Sequence, residues 1–172
     1  MAFSYEWGKD KVREYLINKF KGNAKILDVG AGCGTYWNLL HNDFKYIDAI
    51  EIFPKNIKDY NLKQKYHRVY CMNIKDYYYY KYDVIIFGDI LEHLTVEEAR
   101  KVLEYAIPRC KELIVAVPYE LEQDEVGGNI YEKHLQPDLT KEIMKERYPM
   151  LKELISNDIY GYYIKRGNYG KN

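Results

Sequence analysis

The sequence predicts an α/β fold, a doubly wound and mostly parallel sheet of seven strands that ends in an antiparallel hairpin. Strand patterns alternate with helical patterns along the chain, and this alternation favours parallel strands joined by right-handed helical crossovers. The last two strand patterns are separated by only Asn157 and Asp158, which indicates a hairpin. No repeat, linker or composition change interrupts the 172 residues, so we expect a single domain over residues 1–172.

The helices are predicted from apolar residues that recur every three or four positions. The first has Val12, Leu16 and Phe20 at this spacing. The fourth has the clearest start signal, because Thr95 and Glu98 form a capping box there. The predicted helices cover about residues 9–20, 35–41, 54–60, 96–107 and 139–148.

The strands are predicted from short apolar runs bounded by polar or turn residues. They cover about residues 25–29, 46–52, 68–72, 83–87, 112–117, 151–156 and 159–165. Between the fifth of these strands and the last helix, residues 118–137 form a connection that is longer than structural loops usually are. We expect this loop to act as a lid or a substrate loop.

The most informative stretch runs from Lys25 to Thr35, where a buried strand leads directly into a glycine-rich turn and a helix. Asp28 interrupts the apolar strand, where burial alone would not place a carboxylate. Glycines at positions 30, 32 and 34 allow positive φ angles and leave no β-carbons against a ligand. The helix that follows would direct free N–H groups at that ligand. The stretch therefore predicts a nucleotide-like cofactor site at the end of the first strand.

The spacing of the glycines narrows the choice of ligand. The dinucleotide fingerprint is G-x-G-x-x-G, whereas this chain has G-x-G-x-G from Gly30 to Gly34 and lacks the G-K-[ST] of a P-loop. Glu51 follows Gly30 by 21 residues and ends the second strand, where a carboxylate can accept two ribose hydroxyls. A surface charge at a strand end is the alternative, and the preceding glycine turn favours ribose binding.

Three segments in the expected order resemble class I S-adenosylmethionine-dependent methyltransferases, which have a Rossmann-like fold. They are residues 28–34, Glu51 as the acid of the second strand, and residues 82–94 at the fourth strand. The last segment is similar to the small-molecule branch that includes quinone-biosynthesis methyltransferases. The resemblance covers about residues 24–117 and implies S-adenosylmethionine as the cofactor.

The resemblance also implies which residues contact the cofactor. At its methionine end these would be Asp28, Gly30, Ala31, Gly32, Gly88 and Asp89. Around its ribose and adenine they would be Glu51, Ile52, Asn73 and Ile74. Asp28 would anchor the turn and the cofactor's amino group. Asn73 stands where the family usually has an acidic residue, and Asp76 is the alternative partner for adenine.

Three residues are candidate catalytic groups. The sulfonium of S-adenosylmethionine is already activated, so a protein base is needed only when the acceptor is protonated at neutral pH. His93 lies six residues beyond the fourth strand, and helix capping or core packing is an equal alternative for it. His134 lies in the long loop, where similar methyltransferases often carry a substrate-facing His. Tyr119 follows the fifth strand and is expected to line the same cavity.

Several chemistries are disfavoured. The residues after the fourth strand are not the Asp/Asn-Pro-Pro-Tyr segment of amino-methylating enzymes in this superfamily, and no cysteine stands there for cytosine C5 methylation. We also expect no metal site, because no carboxylate cluster for metal-assisted catechol methylation can be assembled. Cys33, Cys71 and Cys110 lack the spacing of zinc ligands or a disulfide framework, which indicates a reducing, cytoplasmic setting.

The composition limits the classes of binding partner that we expect. Lys plus Arg and Asp plus Glu both number 26, so nucleic acid is not favoured. The run Tyr77–Tyr80 indicates either a base-stacking platform or an amphipathic loop, and the loop is favoured. No signal peptide or membrane-span pattern is visible.

We expect in-line methyl transfer to an O or N of a small-molecule acceptor. The alternatives are a non-catalytic binding or regulatory protein, or an RNA or protein methyltransferase.

Overall fold

The computed structural model describes residues 5–78 and 80–169. Its strands are β1 (Lys25–Val29), β2 (Tyr46–Glu51), β3 (Arg68–Cys71), β4 (Tyr82–Gly88), β5 (Cys110–Pro118), β6 (Lys152–Ser156) and β7 (Tyr160–Arg166). They form one sheet in the order β3-β2-β1-β4-β5-β7-β6. Strands β1 to β5 are parallel, whereas β7 runs antiparallel between β5 and β6. The predicted doubly wound sheet with its antiparallel hairpin is confirmed.

The α-helices are α1 (Lys9–Lys19), α2 (Thr35–Leu40), α3 (Pro54–Asp59), α4 (Leu62–Lys65), α5 (Val96–Ala106) and α6 (Lys141–Arg147). Short 3₁₀ helices cover Ile74–Asp76, Leu91–His93, Ile107–Arg109 and Ile130–Glu132. The capping box of α5 is confirmed, since Thr95 and Glu98 exchange hydrogen bonds of 3.2 and 3.0 Å. The sequence patterns did not reveal α4. Of the helices described, not one combines the length and apolar character needed to cross a bilayer.

The sheet buries both of its faces, as its alternating side chains require. On one face, Leu27 and Phe87 belong to an apolar cluster that includes the buried side of α5. On the other face, Ile26 and Ile86 belong to a second cluster that includes residues of α1 and α2. Helices therefore cover both sides of the sheet and leave the carboxyl ends of the strands as the open edge.

The order of the strands creates a crevice at that edge between β1 and β4. The chain leaves β1 toward β2 and leaves β4 toward β5, in opposite directions, so the two connections diverge. Val29 and Phe87 are register partners, which brings the ends of both strands to the same level. Such a switch point is the usual ligand site of an open parallel sheet. The glycine turn after β1 and the Gly88–Asp89 segment both emerge here.

Candidate functional site

Two adjoining cavities open at this edge of the sheet. The polar cavity has a volume of about 120 Å³ and is lined by residues that include Tyr36, Glu51, Asp89, Glu92, Glu132 and His134. The apolar cavity has a volume of about 350 Å³ and is lined by residues that include Ile50, Met72, Asn73, Ile74, Leu94 and Leu135. Both cavities share Gly30, Ile52, Ile90, His93 and Tyr131. One extended ligand can therefore occupy both.

The glycine turn at the end of β1 meets both cavities at Gly30. Gly30, Gly32 and Gly34 have φ angles of 73°, 52° and 88°, in the region that favours glycine. The amides of Gly30 and Ala31 donate to the carbonyl of Ile50 at 2.8 and 3.1 Å. A β-carbon on Gly30 would lie 2.0 Å from the Cδ1 atom of Ile90. The sequence therefore needs glycine here for both backbone conformation and space.

Glu51 is joined to this turn by a hydrogen bond. Its carboxylate accepts from the amide of Gly32 at 2.7 Å and from the amide of Phe53 at 2.8 Å. Burial raises the pKa of Glu51, although the hydrogen bonds from these two backbone amides lower it in part. The side chain is 4% exposed and borders the polar cavity. Each carboxylate oxygen has a further lone pair, so the fixed side chain can accept hydroxyl groups from a ligand.

Asp28 lies behind the turn, within the core. It is 1% exposed, lines neither cavity, and accepts a hydrogen bond of 2.5 Å from the hydroxyl of Tyr66, the residue after α4. Burial raises the pKa of Asp28 to about 7, although the Tyr66 hydrogen bond lowers it. The observed contact ties the end of β1 to the chain beyond α4.

The apolar cavity is bounded by three of the four residues that the resemblance assigned to ribose and adenine. Ile52 and Ile74 supply apolar side chains, and Asn73 contributes an amide. The Asn73 oxygen caps the 3₁₀ helix by accepting from the amide of Lys75 at 2.9 Å. Asp76, the alternative to Asn73, is exposed and lines neither cavity. These residues can hold a flat, mainly apolar group.

Gly88 and Asp89 border the polar cavity at the end of β4. A β-carbon on Gly88 would lie 2.0 Å from the ring of Tyr36, so only glycine allows that ring to approach. Asp89 has a φ angle of 56°, in the left-handed region that few residues other than glycine adopt. Its carboxylate accepts from the hydroxyl of Tyr160 at 2.6 Å. The strand end is thus shaped to present a carboxylate at the cavity.

The structure brings His93 and His134 together, although they lie far apart in the sequence. Their ring centroids are 4.7 Å apart in an edge-to-face arrangement, and both rings line the polar cavity. The Nδ1 atom of His93 lies 3.2 Å from the carbonyl of Lys133, and that of His134 lies 2.7 Å from the carbonyl of Leu121. Burial and the neighbouring His134 lower the pKa of His93 to about 4, and burial also lowers the pKa of His134. Both imidazoles are therefore neutral at pH 7.

Glu92 is a cavity residue that sequence reasoning missed. It is 1% exposed, and within the described part of the chain neither of its carboxylate oxygens has a hydrogen-bond partner. Burial, with a further contribution from Asp89, raises the pKa of Glu92 well above its usual range. Its position beside His93, just after a strand end, was a signal that could have identified it. The hydroxyl of Tyr36 is likewise buried without a partner among the described residues.

The long loop after β5 forms one wall of the polar cavity and is fastened to the 3₁₀ helix Leu91–His93. The side-chain amide of Gln136 donates to the carbonyls of Leu91 and Leu94 at 2.8 and 2.9 Å. The backbone amides of Leu135 and Gln136 donate to the carbonyl of Glu92 at 2.7 and 3.1 Å. This fastening holds His134 beside Glu92 and His93.

Comparisons with known proteins identify the fold. No protein-family model matches the sequence, and no curated protein matches it. An S-adenosylmethionine-dependent methyltransferase from Clostridium acetobutylicum ATCC 824 has a TM-score of 0.71 and 15% identity over 96% of this chain and 93% of that chain. The DhpI–SAH complex has a TM-score of 0.73 and 11% identity over 93% of this chain and 82% of that chain. The N-terminal domain of EvdMO1 with SAH bound has a TM-score of 0.69 and 14% identity over 95% of this chain and 82% of that chain.

The fold is that of S-adenosylmethionine-dependent methyltransferases. Identities of 11–15% establish this fold and leave the acceptor open. Two of these neighbours contain SAH, the product that S-adenosylmethionine becomes when it gives up its methyl group.

Within this methyltransferase fold, the expectation that Tyr119 lines the cavity of the two histidines is wrong. Strand β5 continues to Pro118, which borders the polar cavity. The side chain of the next residue points to the opposite side, because side chains alternate along a strand. Tyr119 accordingly hydrogen-bonds the hydroxyl of Tyr163 and borders a separate surface depression with Thr140 and Lys141.

The described residues of the tyrosine run also lie apart from both cavities. Tyr77 is buried, and its hydroxyl lies 3.3 Å from that of Tyr82. Tyr78 and Tyr80 are exposed. Tyr79 lies outside the described residues. Tyr77, Tyr78 and Tyr80 border neither cavity.

The polar cavity carries an excess of acidic groups. Glu51, Asp89, Glu92 and Glu132 all border it, and none of its described lining residues is Lys or Arg. A cavity lined by one sign of charge attracts ligands of the opposite sign. This end of the site is therefore suited to a cationic group.

Proposed function

We propose that this protein is an S-adenosylmethionine-dependent methyltransferase that transfers a methyl group to an oxygen or nitrogen of a small-molecule acceptor. The observation that carries the proposal is the 2.7 Å hydrogen bond between Glu51 and the amide of Gly32. It joins the acid at the end of β2 to the glycine turn at the end of β1, as one rigid unit between two cavities. The methyltransferase fold and the SAH in two neighbours support the same donor.

The residues fit this donor in shape and charge. Glu51 would accept the two ribose hydroxyls, and Ile52 and Ile74 would flank the adenine beside Asn73. The methionine end would lie along the glycine turn toward Asp89. S-adenosylmethionine carries positive charge on its sulfur and amino group, and the acidic polar cavity complements that charge. Asp28 would support the turn from the core.

When bound, S-adenosylmethionine supplies an activated methyl group on a positively charged sulfur. The chain itself would align the acceptor with that group and keep water out, through the loop wall that Gln136 fastens in place. His93 and His134 are neutral and line the cavity, so either Nε2 atom can accept a proton from the acceptor. His93 and His134 are therefore the proposed catalytic residues.

The acceptor is proposed to be small because the loop wall confines the polar cavity. Side chains of the loop, including Gln123, Asn129 and Tyr131, line this cavity of about 120 Å³. A macromolecular acceptor would need an open surface, and RNA would also need cationic groups around the site. The described lining of the polar cavity includes no such group, and the two lysines that border the apolar cavity, Lys75 and Lys133, form ion pairs with Glu98 and Asp124.

Calorimetric titration tests the donor directly. Both S-adenosylmethionine and S-adenosylhomocysteine should bind with one-to-one stoichiometry. Glu51→Ala should weaken binding by about 1–3 kcal/mol through the lost hydrogen bonds to ribose. Glu97→Ala, an exposed acid on α5, is the matched control and should bind like the wild type. If neither compound binds at high micromolar concentration, the proposal is wrong.

Methyl transfer separates the enzyme from a non-catalytic binding protein. A donor labelled in its methyl group should pass the label to a component of a small-molecule extract, and not to RNA or protein from the same cells. His93→Ala and His134→Ala should lower this transfer while S-adenosylhomocysteine still binds. Donor binding without transfer to any of the three pools would favour the binding or regulatory alternative. Label in RNA or protein would contradict the small acceptor.

A further inference from the structure

We propose that Glu92, His93 and His134 form a binding site for one divalent transition-metal ion at the acceptor end of the polar cavity. One ligand atom from each of the three residues lies within 4.8 Å of the other two. Two atoms bound to one ion at about 2.1 Å are at most about 4.2 Å apart. The cluster is therefore slightly wider than a closed site, and small side-chain rotations bring the three atoms to bonding distance.

Glu92 is the first argument that this cluster binds a cation. A carboxylate that is 1% exposed normally has hydrogen-bond donors around it, because burying a charge without a partner is costly. Neither of its side-chain oxygens has a partner among the described residues, and the side chain borders the cavity. Lys and Arg are missing from the described lining of that cavity. A bound cation would satisfy the carboxylate that the protein leaves unsatisfied.

The orientation of the two imidazoles is the second argument. Each Nδ1 atom lies at hydrogen-bond distance from a backbone carbonyl, that of Lys133 for His93 and that of Leu121 for His134. A carbonyl can only accept, so each Nδ1 carries the proton and each Nε2 keeps a free lone pair. Metal-binding histidines are usually held in this way by a backbone carbonyl or carboxylate.

The third argument is that the two segments that carry the ligands are fastened to each other. Glu92 and His93 belong to the 3₁₀ helix after β4, and His134 belongs to the loop after β5. Four hydrogen bonds from Leu135 and Gln136 fasten that loop to the helix. Two imidazoles and one carboxylate leave further positions on the ion open, as in catalytic rather than structural sites.

The ion would favour an oxygen acceptor, and this consequence rests on the proposed function. A divalent ion lowers the pKa of a hydroxyl group that it binds. When the ion is bound, the Nε2 atoms of His93 and His134 hold it and no longer act as the base, so the hydroxyl proton would pass to solvent. The oxygen lone pair would form the new bond to the methyl carbon. The bond between that carbon and sulfur would break, with its electron pair remaining on sulfur. The acceptor is therefore a hydroxyl compound small enough to reach Glu92.

The metal site is tested with Co²⁺ alone, in the absence of any methyl donor. The metal-free wild type should bind one Co²⁺ per chain and show the visible absorption of a coordinated ion. Glu92→Gln and His134→Ala should each weaken this binding by at least about tenfold. His41→Ala is the control, because His41 stacks on Trp37 away from both cavities. Thermal unfolding of each metal-free variant shows that it is folded.

The proposal is overturned if Co²⁺ fails to bind the wild type, if Glu92→Gln binds it equally well, or if His41→Ala weakens it as much as His134→Ala. S-adenosylhomocysteine is titrated separately into the same samples. Donor binding without Co²⁺ binding would remove the metal site and leave the proposed function intact. Co²⁺ binding without donor binding would contradict the proposed function and leave the metal site intact.

Discussion

The two halves of the site differ in how their polar groups are satisfied. The donor half consists of the glycine turn, Asp28 and Glu51, and its carboxylates accept hydrogen bonds from Tyr66, Gly32 and Phe53. The acceptor half consists of Glu92, His93 and His134, and its carboxylate has no hydrogen-bond partner among the described residues. The donor half is complete before any ligand binds. In the acceptor half, one buried carboxyl group, whose pKa is raised by burial, is left for a ligand to complete.

This difference indicates that the two halves of the site have different roles. Preorganised hydrogen bonds reduce the cost of ordering a site when a ligand binds, which suits a cofactor that every turnover requires. A buried carboxylate without a partner lowers stability, and proteins keep such groups mainly at functional sites. We infer that the first half was built for one fixed donor and the second for a ligand that completes it.

The largest expected effect comes from adding one methyl group to the donor half. In Gly30→Ala the new β-carbon would overlap Ile90 at 2.0 Å and force alanine to a φ angle of 73°. We expect the free energy of unfolding to fall by about 2–4 kcal/mol and donor affinity to fall at least about tenfold. Gly127→Ala is the control, since its φ angle is also positive but no atom lies within 4 Å. Equal losses in the two variants, measured by denaturation and calorimetry, would mean that crowding at Ile90 has no role.

The next effect concerns the cost of burying Asp28 in the donor half. The pKa of Asp28 is about 7 in the folded chain because of burial, against 3.8 in a free side chain. Between pH 3.8 and about 7, the folded state therefore keeps a proton on Asp28 that the unfolded state has lost. The contribution of Asp28 to the free energy of unfolding is greatest below pH 3.8 and falls as pH rises toward about 7. Asp28→Asn should remove this slope and raise the free energy of unfolding at pH 8 by about 2–4 kcal/mol. Denaturation at several pH values checks this, and an unchanged slope would contradict the burial argument.

A smaller effect is expected where the acceptor half is assembled. Gln136→Ala would leave the carbonyls of Leu91 and Leu94 without their donor and loosen His134. The free energy of unfolding should fall by about 1–3 kcal/mol, and methyl transfer should fall while S-adenosylhomocysteine affinity is kept. Gln64→Ala, at an exposed position of α4, should change neither quantity. A loss of donor affinity in Gln136→Ala would show that the two halves are not separable.

The smallest effect is expected at Tyr119. Its hydroxyl bonds Tyr163 rather than facing the cavity, so Tyr119→Phe should leave the rate of methyl transfer unchanged. The lost hydrogen bond should lower the free energy of unfolding by about 0.5–1.5 kcal/mol. A large loss of transfer rate would place Tyr119 at the acceptor after all.

The sequence allowed the fold and most of the donor half to be predicted because their signals are local. Strand and helix periods extend over a few residues, and the glycine spacing followed by Glu51 reflects a single strand–turn–helix–strand unit. The position of Asp28 in the core, held by Tyr66, depends on a contact between distant segments. No local pattern marks such a contact.

The acceptor half was only partly predicted, for the same physical reason. His93 and His134 were chosen singly, but their approach to Glu92 depends on the hydrogen bonds from Gln136 to the 3₁₀ helix. A metal site was not expected from the sequence, because no carboxylate cluster could be assembled from it. Glu92 and His134 are separated by α5 and β5 along the chain, so no local pattern joins them. The strand alternation that turns Tyr119 away depended on where β5 ends, and strand ends are among the least predictable features.

The most direct test of the proposed division is a titration of S-adenosylhomocysteine into three proteins, the wild type, Glu51→Ala and Glu92→Gln. We expect Glu51→Ala to bind about 1–3 kcal/mol more weakly and Glu92→Gln to bind like the wild type. Glu92→Gln should nevertheless have lost methyl transfer, measured in the same samples. Wild-type affinity in Glu51→Ala, or the loss of donor binding in Glu92→Gln, would contradict the separation of a donor half from an acceptor half.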